Sequence, residues 1–147
     1  MKAHVVGPHG PEISDRPKPS PGPDDVVVRV RACALNRADL AMARGVRHGP
    51  AGGTGAVMGL EWAGEVAEVG ANVDDLKPGD RVMGSGAEAF AEYALSDRGR
   101  VLVIPRAETT FEQAVCLPVS RFQLLRWFQV GYRFALFFQE LRQSFQD

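Results

Sequence analysis

The chain has 147 residues, 45% of them hydrophobic and 24% charged, with 17 basic and 18 acidic side chains and a net charge of -1. That suits one soluble globular domain with a sizeable core, and so even a balance gives no electrostatic reason to seek nucleic acid or an anionic membrane. Two cysteines, Cys33 and Cys116, are too few for a disulfide scaffold and form no CxxC pair, and "MKAHVVGPHGPEISD" holds no long apolar run or cleavage site. Both features point to a cytoplasmic protein.

In chain order, "KAHVV" is a short strand, and the prolines of "DRPKPSPGP" forbid regular structure after it. In "DDVVVRVRACAL", Val26, Val28 and Val30 alternate with Val27, Arg29 and Arg31, the period of two of a β-strand. "NRADLAMARG" reads as a short helix closed by Gly45, and "HGPAGGTGAVMG" as a Gly-rich loop. Strands return in "GLEWAGEVAEVG". Pro78-Gly79-Asp80 turns the chain into Arg81-Val82-Met83, and "AFAEYAL" and "VLVIP" supply two more strands. "ETTFEQAVCLPV" looks like a helix start capped by Thr109 or Thr110. Many short strands punctuated by Gly and Pro argue for a mainly β domain, a small barrel or sandwich, over residues 1–120.

The composition changes at about Ser120. Residues 121–147 contain six of the eight phenylalanines, and a helix through them leaves aromatic side chains outside any single stripe. We expect a helical tail there that promotes self-association. Arg126 and Arg133 interrupt the roughly 20 apolar residues that a membrane span needs.

The order "PGPDDVVVRVRACALNRADLAMARG", "MGLEWAGEVAEVGANVDDLKPGDRVMG", "AFAEYALSD", "VLVIP" and "FEQAVCLPV" resembles the N-terminal domain of the medium-chain dehydrogenase/reductase superfamily. "LNRADLAMARG" resembles its quinone oxidoreductase branch. The resemblance implies a GroES-like, partly open β-barrel with short helices. It implies a zinc-independent, NADPH-dependent oxidoreductase that passes hydride to a quinone or an α,β-unsaturated carbonyl. In zinc members, a cysteine and an aspartate occupy the positions matched by Asn36 and Asp39, and a His-Glu pair matches Leu60-Glu61. Zinc favours thiolate and imidazole, which Asn36 and Leu60 do not offer. Cys33 lies three residues too early, and strand alternation turns it away from Asn36. No zinc is expected.

By the same resemblance, Asn36, Asp39, Arg47, Leu60, Glu61 and Trp62 are the candidates for the substrate and nicotinamide side, with Asn36 also a cofactor-binding candidate. No residue is assigned as the catalytic acid or base. Each candidate has a plainer role. Asn36 suits a helix N-cap, and Asp39 a first-turn acid. Glu61 suits pairing with Arg37, Arg81 or a polar backbone group, and Trp62 suits the core. Arg47 stands where the resembling reductases carry an aromatic residue, and His48 beside it suits a solvated loop.

No GxGxxG fingerprint follows a strand, so the Rossmann half that would hold NADPH is expected to be absent from this chain, as in a truncated product. The chain alone is then not expected to turn over. The alternative is a non-catalytic GroES-like binding module whose aromatic tail docks on a partner.

Overall fold

The computed structural model describes residues 1–47, 52–105 and 107–118. The tail expected over residues 121–147 and the loop residue His48 lie outside the described residues.

The first element is a hairpin, β1 (Lys2–Gly7) with β2 (Gly10–Asp15). β2 was not expected. Only Ile13 in it is large and apolar, and that side chain is exposed. Its Pro11 is tolerated because an edge strand leaves one row of backbone groups unpaired. Bridges from Ala3 to Ala91 and from Val5 to Val57 fasten the hairpin to the rest of the domain.

Five further strands form one antiparallel sheet in the order β6-β3-β4-β5-β7. They are β3 (Asp25–Cys33), β4 (Glu61–Val69), β5 (Arg81–Ser85), β6 (Tyr93–Asp97) and β7 (Val101–Val103). The sheet curls into a half-barrel, so the chain is mainly β, as the resemblance implies. The simple alternation expected along β3 fails at its start. Val26, Val27 and Val28 are all fully buried, and only from Arg29 onward do exposed and half-buried positions take turns. The strand is sandwiched between β4 and β6, and its register with β4 shifts between Val27 and Val28 and again between Val30 and Ala32. Each such bulge turns the strand locally.

Two clusters make up most of the core. Val26, Val28, Trp62, Val66, Val82 and Val101 pack in one. Ala63, Met83, Ile104, Ala114 and Val115 form the other. Trp62 faces Gly84 across the β4–β5 ladder, and a Cβ on Gly84 would come within 2.6 Å of the indole. The glycine makes room for the ring.

Two short helices complete the described chain. α1 (Arg37–Ala43) ends at Gly45, whose φ of +78° is the left-handed conformation that closes helices. α2 (Phe111–Ala114) is capped by Thr110, whose hydroxyl accepts from the Gln113 N–H at 3.2 Å while its own N–H donates to Gln113 Oε1 at 3.0 Å. Arg81 secures the approach to α2 by donating to the carbonyls of Ala107 and Thr109, with its guanidinium 4.6 Å over the Phe111 ring. Among the described residues no helix is long and apolar enough to cross a membrane, and both cysteines are free thiols.

Candidate functional site

The β3–β4 ladder builds the candidate site at its open end. Cys33 pairs with Trp62, and the Ala34 N–H donates to the Glu61 carbonyl at 3.4 Å, so the ladder runs on for one residue past the end of β3. Leu35 then leads into Asn36, the N-cap of α1. Residues 25 positions apart are thereby brought into contact. The Asn36 side-chain amide donates to Glu61 Oε1 at 2.8 Å.

Asp39 locks the same asparagine from the helix side. The Asn36 backbone N–H donates to Asp39 Oδ2 at 2.6 Å, one arm of a capping box. Asp39 is 3% exposed and Glu61 5%, the two buried acidic residues of the described chain. Burial raises the Asp39 pKa above the usual carboxylate value; the Asn36 N–H opposes this and the negative field of Glu61 adds to it. Asp39 Oδ1 is buried with no hydrogen-bond partner.

The other candidates divide. Leu60 packs against Val6, Met42 and Met58 in an apolar cluster next to the corner. Trp62, one residue beyond Glu61, points into the main core, where its indole N–H has no partner. Arg47 is exposed, with its side chain lying along Gly53. The structure therefore gathers Asn36, Asp39 and Glu61, sets Leu60 beside them, and does not bring Arg47 or the Trp62 ring into that group. The arginine partners expected for Glu61 are engaged differently. Arg81 stands opposite Glu65 in the β4–β5 register and spends its donors on Ala107 and Thr109, while Arg37 is exposed and makes no ion pair among the described residues.

A groove of about 690 Å³ that sequence reasoning missed is lined in part by Leu35. Ile13, Val30, Cys33, Leu35, Met58 and Phe90 contribute to its wall. The Cys33 thiol pKa is raised by desolvation there and by the charge of Asp39. The only sequence signal for this groove was Leu35, an apolar residue in a turn, which is 86% exposed.

Zinc does not fit this donor set. The position nearest the carboxylates is an amide already bonded to Glu61, its neighbour Leu60 is apolar, and among the described residues no three His, Cys, Asp or Glu side chains converge.

Residues 22–118 match the alcohol dehydrogenase GroES-like domain family. The chain is 40% identical over 114 residues to the synaptic vesicle membrane protein VAT-1 homolog of Rattus norvegicus, covering 74% of this chain and 27% of that protein. It is 32% identical over 139 residues to the trans-enoyl reductase tndF of Aspergillus flavipes, covering 86% of this chain and 40% of that one. A solved quinone oxidoreductase of Pseudomonas syringae pv. tomato DC3000 superposes with a TM-score of 0.69 at 33% identity, over 79% of this chain and 37% of that one. The chain thus spans well under half the length of these relatives. It belongs to the alcohol dehydrogenase GroES-like domain family, within the medium-chain dehydrogenase/reductase superfamily.

Proposed function

We propose that this chain is the substrate-side domain of a zinc-independent, NAD(P)H-dependent reductase that passes hydride from the nicotinamide to a quinone or an α,β-unsaturated carbonyl. One observation supports this reading above the rest: the Asn36–Glu61 hydrogen bond of 2.8 Å, standing where zinc members of the superfamily place metal-binding groups. An amide nitrogen carries two hydrogens. Glu61 takes one and fixes the side chain, and half-buried Asn36 offers the other to a substrate oxygen or to the cofactor's ribose or carboxamide.

A single neutral donor is a weak electrophile compared with a metal ion. It suits acceptors that are already electron-poor, whose charge after hydride addition is delocalised. A quinone or an enone meets that condition, and an alcohol does not. The nicotinamide nucleotide supplies the hydride when bound. This chain's own residues orient the acceptor through Asn36 and keep water from the buried carboxylates behind it. The described residues contain no βαβ unit, so the pyrophosphate would be held outside them.

The test is a chimaera joining this chain to the Rossmann half of the P. syringae quinone oxidoreductase. NADPH-dependent reduction of a quinone or an enone is expected without added metal, with a loss of roughly tenfold or more in Asn36→Ala. Zinc-dependent alcohol oxidation, with about one zinc per chain by elemental analysis, would overturn the reading. A folded chimaera that binds quinone and turns nothing over would favour the binding-module alternative.

A further inference from the structure

Asn36 holds two buried carboxyl groups at once. Its backbone N–H donates to Asp39 at 2.6 Å and its side-chain amide to Glu61 at 2.8 Å. We propose that Asp39 is a positioning residue that couples its own ionisation to the placement of the Asn36 amide. The functional meaning of that coupling rests on the reading of Asn36 as the substrate-side donor.

The geometry supplies the coupling. Asp39 is 3% exposed, and it makes no ion pair among the described residues. Oδ2 is bonded to Asn36, and the buried Oδ1 has no partner to stabilise a charge. Among the described residues, two titratable groups act on it or respond to it. Glu61 approaches from β4 and the Cys33 thiol from the end of β3, and neither is a cation. Arg37, its neighbour on α1, turns to solvent. Met42, one turn along α1, and Leu60, next to Glu61 in sequence, belong to one apolar cluster. When Asp39 ionises, a negative charge arrives beside Glu61, with Asn36 bonded to both groups. Coulomb repulsion in a poorly solvated site then acts along the Asn36–Glu61 hydrogen bond.

The direction in pH follows. The folded state favours the protonated form of Asp39, because burial and then Glu61 outweigh the Asn36 N–H. As pH rises through 3.8, the unfolded chain releases this proton first. Folding stability from Asp39 therefore falls with rising pH until the folded Asp39 itself ionises, and is level beyond that. Asp15, Asp75 and Asp80 have lowered values through their own hydrogen-bond partners and push the other way at lower pH. A comparison of parent and variant removes their contribution.

The experiment is an NMR titration of the full chain, following the Asp39 carboxyl carbon and the Asn36 side-chain NH2 resonances. Asp39 is expected to titrate above the ordinary carboxylate value, and the Asn36 resonances to move with the same midpoint. In Asp39→Asn, which keeps an acceptor for the Asn36 N–H but cannot ionise, the Asn36 resonances are expected to stay flat over that range. The melting temperature of the parent minus that of the variant is expected to fall as pH rises above 3.8. An Asp39 that titrates with the exposed carboxylates would overturn the proposal. So would Asn36 resonances that ignore Asp39, or that still move in Asp39→Asn. If the variant does not fold, the titration of the parent decides alone. No turnover is measured, so this proposal and the reductase reading fail separately.

Discussion

Two neighbouring residues of β4 live in opposite environments. Trp62 is fully buried in the main apolar cluster, fitted over Gly84. Glu61, one position earlier, is almost as buried but sits in the polar corner with Asn36 and Asp39. Strand alternation sends successive side chains to opposite faces, so one strand can seal a core and furnish a site. The core face is held by area, to which any well-fitting apolar residue contributes. The corner is held by the hydrogen bonds from Asn36 to the two carboxyl groups, and losing either leaves a further buried polar group unmatched, which costs more than a matched one gains.

Trp62→Ala breaks the core side of this comparison and should have the largest effect. Removing a buried tryptophan costs about 3–5 kcal/mol, enough to unfold a marginal domain. Chemical denaturation should show a lower midpoint that depends on pH no more steeply than the parent's. A loss below about 1 kcal/mol would mean that the ring is not packed as described.

Asn36→Ala attacks the corner. It removes the N-cap of α1 and the amide donor to Glu61, and should cost about 1–3 kcal/mol. The diagnostic feature is its shape against pH: Glu61 loses its amide donor while the backbone N–H to Asp39 stays, so the loss should differ between acid and neutral solution. An equal loss at both would show that Asn36 acts as a cap alone.

How far these two environments could be foreseen differs. The valines of β3, the helix at "NRADLAMARG", the turn at Pro78-Gly79-Asp80 and the closing Gly45 were all legible, because each is a local preference written in consecutive residues. β2 was not, since its exposed side chains carry no hydrophobic period. The corner was legible only as a set of candidates. The Asn36–Glu61 bond depends on the β3–β4 register, which two bulges alter. The same lack of register made Arg81 look like a partner for Glu61, when the sheet sets it opposite Glu65 and turns it toward α2.

Thr110→Ala repeats the capping test away from the corner. Thr110 and Gln113 exchange bonds as Asn36 and Asp39 do, but both are in exposed surroundings. The expected loss is about 0.5–2 kcal/mol, at the level of an ordinary cap. Thermal unfolding of Thr110→Ala beside Asn36→Ala isolates what burial adds to a cap. If the two cost the same, the hydrogen bond to Glu61 contributes nothing net.

The smallest effect should come from Arg31 and Glu65, which lie on the same two strands as the corner. Arg31 donates through Nε at 3.1 Å and through a terminal nitrogen at 2.7 Å, both to Glu65 Oε2. The side chains are 39% and 37% exposed, so water screens the pair and both chains give up rotamer freedom to form it. Removing either partner should cost about 0–1 kcal/mol, and the cost should shrink further in high salt. A double-mutant cycle with Arg31→Ala and Glu65→Ala, run at low and high ionic strength, measures the coupling directly. The contrast with Asn36–Glu61 is the informative part. Both are polar links between β3 or its extension and β4, and they differ mainly in burial. A coupling for Arg31–Glu65 as large as that for Asn36–Glu61, and indifferent to salt, would mean that water reaches the corner as freely as the surface.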